Sequence, residues 1–233
     1  FMCLPFISNS RISIIFSGIA YFKYSIGYVL FFYFIIKKNY KLLLYSTIIP
    51  ILGWLIYSLI TNTNIFASLL QPFQLAIHNH LIDSDGNTIM PDNIFIFSFF
   101  EILNFKYKSL ISVILSLVIN FYFVFKISTL KDDLQKLSCL SLSVLIFFPH
   151  YPHNYILILP LLIFSIKNFD NKLCKLYFIS SIYFLFFFRA VEIYIPILIK
   201  DLFQIDYTFV ISYLNCVFLL IILSLNIFVK KKQ

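Results

Sequence analysis

Two histidines, His150 and His153, lie in a short stretch whose residue types suit proton transfer and hydrogen bonding to a ligand. The stretch, residues 148–155, contains prolines and separates two apolar runs, 137–147 and 156–166. Because proline lacks an N–H group and clashes one turn back, a continuous α-helix is not expected here. Backbone that is not helical lies at membrane depth only where protein or a water-filled cavity covers it. We therefore predict that this histidine turn forms the floor of a site.

The composition indicates an integral membrane protein. The 233 residues are 61% hydrophobic and only 12% charged, and their mean hydropathy is +0.93, whereas soluble domains are nearer half apolar and a quarter charged. Apolar runs recur along the whole chain, so we predict an all-α, polytopic membrane protein with about seven transmembrane helices. The formal net charge of +8 comes from lysines between these runs, which is a topology signal and not a nucleic-acid signal.

The apolar runs give the predicted organisation of the chain. The spans and half-spans are residues 11–36, 42–60, 109–125, 137–147, 156–166, 176–188 and 208–229. Two outer segments, 61–107 and 190–207, separate some of them, and the whole chain, 1–233, is expected to be a single transmembrane domain. The first residues look like the end of an upstream apolar segment, so we expect this domain to be truncated at its N-terminus.

Four lysine clusters determine the predicted orientation. They are residues 37–41, 126–136, 167–175 and 230–232. With alternate crossings all four fall on one side of the bilayer, and the positive-inside rule assigns that side to the cytosol. We therefore predict a multi-pass protein of the plasma membrane whose outer segments and histidine turn face outward. Lys106, Lys108 and Lys200 are the exceptions on the outer side.

Two cations, Lys23 and Arg189, interrupt apolar runs, and intramembrane charges are costly and usually functional. Like His150 and His153, each lies 14 positions from a clustered lysine. At ~1.5 Å per helical residue this separation is about 21 Å, less than the ~30 Å hydrocarbon core. We therefore expect the four side chains to share one layer, at the bottom of a cavity open to the outside. Such a layer suits phosphate, because arginine offers a planar fork and lysine a point charge.

Two stretches resemble segments of glycosyltransferase family 87. Residues 17–41 have Gly18 and other small residues before Lys23, followed by an apolar run and a basic cluster. Residues 149–160 have a proline-rich turn, a polar step with histidine and tyrosine, and a leucine-rich run with a proline. The resemblance covers the chain from about residue 16 to residue 162.

The resemblance implies a GT-C type fold that transfers a sugar, a hexose or pentose such as mannose, from a polyprenyl-phosphate donor. The acceptor would be a glycan or glycolipid on the outer face, and no cofactor or metal is expected. Such enzymes usually carry a catalytic Asp or Glu in the first outer loop, which the matched segments put before Phe1. The predicted catalytic residues are His153 and His150, and the predicted substrate-binding residues are Lys23, Arg189, Tyr155 and Asn154.

Each assignment has a simpler alternative. A histidine in a polar turn can satisfy nearby backbone, and Arg189 can reach the outer interface or pair with Glu192. Lys23 can pair with a carboxylate on a helix of the part expected to be missing, and its role is then purely structural. His78 and His80 could form a metal site with the histidine turn, although no ligand spacing supports one. The competing functions are a transporter or flippase for a lipid-linked sugar or other anionic substrate, and a structural subunit without a site of its own.

Overall fold

The computed structural model describes residues 11–67, 108–147, 152–188, 191, 194–195 and 208–229. Within these ranges the regular structure is helical and includes no strand, which confirms the all-α prediction. The chain divides into two compact units, Phe1–Pro91 and Asp92–Gln233. The single transmembrane domain expected for 1–233 stays a prediction, and each unit is described by itself.

The first unit contains α1 (Arg11–Ala20), α2 (Tyr24–Ile36) and α3 (Tyr40–Thr61), and each packs against the other two. The span predicted for residues 11–36 is therefore two helices instead of one. After α1 the backbone forms tighter turns, with hydrogen bonds such as that from Lys23 N to Ala20 O (3.1 Å). Lys23 itself has an extended backbone, at φ −98° and ψ 100°, which separates α1 from α2. The ring of Phe22 lies against Gly53 of α3. A tertiary contact therefore accompanies the interruption between α1 and α2.

Small residues allow α1 and α3 to approach closely. A Cβ atom built on Gly18 would come within 2.8 Å of the Ser46 carbonyl oxygen. Ser13, Ser17 and Ser46 are all buried. Close approach through glycine and serine is typical of helix packing in membranes, where lipid supplies no hydrophobic force between helices.

The second unit is built around one central helix. Its elements are α4 (Lys108–Ser128), α5 (Asp133–Phe147), a 3₁₀ helix (Pro152–Ile158), α6 (Leu159–Lys167), α7 (Lys172–Ile182), a π-helical segment (Tyr183–Phe187) and α8 (Thr208–Phe228). Every residue of α5 from 137 to 147 is buried, and α5 packs against α4, α6, α8 and the 3₁₀ helix. It is thus enclosed by the rest of its unit.

Polar contacts identify the two ends of this unit. At one end Nε2 of Gln135, in the first turn of α5, donates to the carbonyl and to Oδ1 of Asn226 near the end of α8, at 2.8 and 2.9 Å. At the other end Tyr183 bonds Asn215, which lies about 16 Å along α8 from Asn226. Because lysines flank Gln135 in sequence and follow α8, the Gln135 end is the lysine-rich end.

The described residues bury small polar side chains and expose large apolar ones. The buried polar side chains are Ser13, Ser17, Ser46, Ser58, Ser116, Asn120, Ser128, Ser138, Ser141, Ser143, Ser165, Ser180, Ser181, Asn215 and Asn226. By contrast Leu59 and Ile60, both on α3, are each 79% exposed. By length and composition, α3 alone among the fully described helices is long and apolar enough to cross a membrane, and only 17% of its apolar window is buried.

Candidate functional site

In the described part of the predicted histidine turn, residues 152–155, the backbone is not α-helical. α5 ends at Phe147, and the 3₁₀ helix begins at Pro152, so His153 and Asn154 belong to a helix and not to a turn. α6 then begins at Leu159 with a proline in its first turn, where the missing N–H breaks no hydrogen bond. His150 lies outside the described residues.

The 3₁₀ geometry changes the expected depth of His153. A 3₁₀ helix rises ~2.0 Å per residue, compared with ~1.5 Å for an α-helix. Along the two helix axes His153 is therefore about 24 Å from Lys167, compared with the about 21 Å expected for continuous α-helix. The path along the helix axes from His153 to Lys167 is therefore longer than predicted.

Tyr155 packs the 3₁₀ helix against the segment that precedes Arg189. It is 4% exposed. Its ring stacks on Phe184 at 5.6 Å with an interplanar angle of 22°, and lies 4.4 Å from the ring of Phe188. These are packing contacts of the ring, and the direct substrate contact predicted for Tyr155 stays a prediction.

The element before Arg189 departs from α-helical geometry as well. α7 ends at Ile182 and continues as the π-helical segment, which packs directly against the 3₁₀ helix. Isolated π turns are uncommon and occur frequently at functional sites. Arg189 lies outside the described residues, and its neighbour Phe188 is in ring contact with Tyr155.

Lys23 belongs to the first unit. It occupies the N-cap position of α2, where no side chain caps the helix. Its side chain is exposed, and the 13 residues of α2 separate it from Lys37. At ~1.5 Å per residue that helix is about 20 Å long, in agreement with the spacing inferred from sequence.

Sequence reasoning missed two asparagines of the second unit. Asn215 Oδ1 accepts a hydrogen bond from the Tyr183 hydroxyl at 3.0 Å, and its Nδ2 atom is buried with no hydrogen-bond partner among the described residues. Asn120 of α4 is fully buried, and within the same part of the chain neither Nδ2 nor Oδ1 has a partner. Each is a lone amide inside an apolar run, which is the signal that could have identified them.

Across the ranges that the structure describes, no group of three His, Cys, Asp or Glu side chains could hold a metal ion. His78, His80 and Glu192 lie outside those ranges. The described part of the candidate site therefore consists of backbone irregularities, an aromatic cluster and the Tyr183–Asn215 pair.

No protein-family model, no curated protein and no solved structure matches this chain.

Proposed function

We propose that this chain is a multi-pass membrane protein that transfers a sugar from a polyprenyl-phosphate donor to a glycan or glycolipid acceptor on the outer face. One observation carries the proposal. The 3₁₀ helix that contains His153 packs against the π-helical segment that leads to Arg189. This packing brings two irregular backbone segments together at the end of the second unit opposite its lysine-rich end.

The distribution of side chains supports insertion into a bilayer. Soluble monomers rarely expose contiguous apolar patches larger than a few hundred Å², yet α3 exposes large apolar side chains along most of its length. Its 22 residues span about 33 Å, and α4 and α8, with 21 residues each, span about 31 Å. These lengths match a hydrocarbon core of about 30 Å. Buried serines and exposed leucines fit a chain whose solvent is lipid.

The proposed reaction uses a cation on the leaving group. An acceptor hydroxyl loses its proton to a carboxylate base, which the family resemblance assigns to a first outer loop. Its oxygen then bonds to the anomeric carbon, and the bond from that carbon to the phosphate oxygen breaks. Arg189 stabilises the departing lipid phosphate, and His153, with His150, hydrogen-bonds the sugar or phosphate.

Sugar transfer by the full-length gene product in native-like membranes tests the proposal. With a polyprenyl-phosphate sugar donor, His153→Ala and Arg189→Ala should each lower transfer by about 100-fold or more, as expected for direct catalytic or charge-stabilising groups. Lys131→Ala and Lys172→Ala, which remove charge from the lysine-rich end, serve as matched controls and should leave transfer unchanged. If all four variants transferred sugar equally well, the site would not lie at the end of the second unit that contains His153.

A carrier for the same lipid-linked sugar is the second candidate. The break between α1 and α2, at residues 21–23, favours it, because transporters often bind substrate where helices are discontinuous near the midplane. Detergent-solubilised protein distinguishes the two functions, since an enzyme transfers sugar without a membrane and a carrier has nothing to move. Movement of the lipid-linked sugar across proteoliposomes, without any transfer in detergent, would support the carrier.

A further inference from the structure

The amide of Asn215 is hydrogen-bonded through its oxygen. Tyr183, the first residue of the π-helical segment, lies with its hydroxyl 3.0 Å from Oδ1 of Asn215. The hydroxyl can donate this bond to the amide oxygen, so the other end of the amide, Nδ2, faces away from the tyrosine. Nδ2 is buried and has no hydrogen-bond partner among the residues that the structure describes.

This arrangement selects for a particular ligand chemistry. An amide nitrogen carries two N–H donors and accepts nothing. A buried donor without a partner costs about 1–3 kcal/mol, whereas a hydrogen bond to a charged group is among the more favourable kinds. A group that pairs with Nδ2 of Asn215 must therefore offer acceptor oxygens, and an anionic oxygen gives the strongest hydrogen bond.

The position of Asn215 links this donor to the candidate site. Tyr183 and Phe184 belong to the segment that leads to Arg189, and Phe184 stacks at 5.6 Å on Tyr155 of the helix that contains His153. One turn along α8 from Asn215, Phe218 stacks on Phe184 at 6.1 Å. The amide of Asn215 thus lies beside the aromatic cluster through which the 3₁₀ helix and the π-helical segment pack against each other.

We propose that Asn215 is a further binding residue, whose Nδ2 donates to a phosphate oxygen of the lipid-linked donor. This inference rests on the proposed function and adds a neutral donor to the cation Arg189. Because Nδ2 has almost no exposed area, the phosphate reaches it only when a neighbouring side chain moves aside. Tyr183 acts as a positioning residue, because its hydroxyl donates to Oδ1 and so leaves the donors of Nδ2 for the anion.

Asn226 provides a matched control within the same helix. Its Oδ1 also accepts a hydrogen bond, from Gln135, and its Nδ2 is likewise buried without a partner in the described part of the chain. It differs in lying at the lysine-rich end. A buried amide nitrogen without a partner does not by itself make a binding site. Because Asn215 and Asn226 share this feature and differ in position, a binding effect seen only for Asn215 is due to its position.

The test measures binding of undecaprenyl phosphate and of undecaprenol, which lacks the phosphate, to the purified full-length protein. Wild type should bind the phosphate at least about tenfold more tightly than the alcohol. Asn215→Asp, which replaces the donor with an anion, should abolish that preference, and Asn215→Leu should reduce it by about tenfold. Tyr183→Phe should reduce it less, because the amide remains and only its orientation is released. Asn226→Asp should retain the full preference.

The outcomes separate the two claims. If wild type does not distinguish the phosphate from the alcohol, both the donor of the proposed function and the role of Asn215 are wrong. If wild type prefers the phosphate and Asn215→Leu, folded as judged by its melting temperature, prefers it equally, only the Asn215 inference is overturned. Should Asn215→Asp fail to fold, Asn215→Leu and Tyr183→Phe decide the result.

Discussion

The ring of Tyr155 lies 4.4 Å from the ring of Phe188, with an angle of 52° between their planes. Residue 155 belongs to the 3₁₀ helix that contains His153, and residue 188 follows the π-helical segment, so the contact joins the two irregular segments of the second unit. Neither segment has the continuous hydrogen-bond ladder of an α-helix. Their relative position therefore depends on side-chain packing, in which Phe184 also takes part.

Replacing Tyr155 with alanine should loosen this junction. Each aromatic pair contributes about 0.5–1.5 kcal/mol, so the loss of the contacts with Phe184 and Phe188 should cost about 1–3 kcal/mol of stability. Thermal unfolding in detergent measures the effect. Tyr155→Phe retains the ring and should unfold near the wild-type temperature.

Sugar transfer is the second property to measure for Tyr155→Ala and Tyr155→Phe. Tyr155→Ala should lower transfer more than its stability loss explains, because the helix that contains His153 is no longer held against the segment before Arg189. If Tyr155→Phe abolishes transfer while its melting temperature is unchanged, the hydroxyl contacts the substrate, as the sequence first predicted, and the ring-packing explanation is insufficient.

Glycine at position 18 should be more sensitive to substitution than glycine at position 53. A Cβ atom on Gly18 would lie 2.8 Å from the Ser46 carbonyl oxygen, which is backbone and cannot rotate away. A Cβ atom on Gly53 would meet the far end of the Phe22 ring, and Phe22 is half exposed and free to turn. Gly18→Ala should therefore cost about 1–3 kcal/mol by overpacking, whereas Gly53→Ala should cost less than about 1 kcal/mol, since alanine also favours helix.

Thermal unfolding of the two glycine variants, side by side in one detergent, checks this ordering. The comparison is internally controlled, because both substitutions add the same methyl group to a helix of the first unit. A larger loss for Gly53→Ala would mean that the ring of Phe22 is fixed and that the close approach of α1 to α3 is not limiting.

The sequence predicted the helical class and most helix positions because apolar runs and prolines are local signals. Residues 42–60 form a helix as expected, and the 3₁₀ backbone of Pro152–Ile158 agrees with the argument that proline prevents a continuous α-helix. The break at residues 21–23 could not be predicted in this way. Nothing local forbids a helix there, and Phe22 lies against Gly53, a residue far away along the chain.

The candidate site was predictable only in part, for a similar reason. Charged residues and histidines inside apolar runs attract attention, but lone asparagines in an asparagine-rich chain do not. Asn215 becomes significant only through Tyr183, which lies 32 positions earlier and meets it in the folded chain. The 3₁₀ and π segments likewise depend on packing between elements that the sequence does not show to be neighbours.

The buried amide of Asn120 should be replaceable at a gain in stability. Both of its polar atoms are buried without partners in the described residues, and each such group costs about 1–3 kcal/mol. Asn120→Leu preserves the approximate volume and removes the cost, so its melting temperature should rise above that of wild type. Ser116→Ala, one turn away on α4, removes a smaller unpartnered group and should give a smaller increase. A lower melting temperature for Asn120→Leu would mean that the amide has a polar partner in the folded protein.

The orientation in the bilayer can be tested with two single cysteines. Asn64, just beyond α3, and Lys131, between α4 and α5, are exposed and should lie on opposite sides of the membrane. Lysine-rich segments remain in the cytosol, so a membrane-impermeant maleimide should label Asn64→Cys in intact cells. Lys131→Cys should react only after the cells are opened.

The native cysteines permit this experiment with little background, because Cys139, Cys174 and Cys216 are buried and Cys3→Ser removes the fourth. The reversed labelling pattern would turn the Tyr155–Phe188 end of the second unit toward the cytosol. A lipid-linked donor on the outer leaflet could then not reach it, and the proposed outer-face transfer would be wrong. Labelling of both cysteines from the same side would contradict the single crossing predicted between residues 64 and 131.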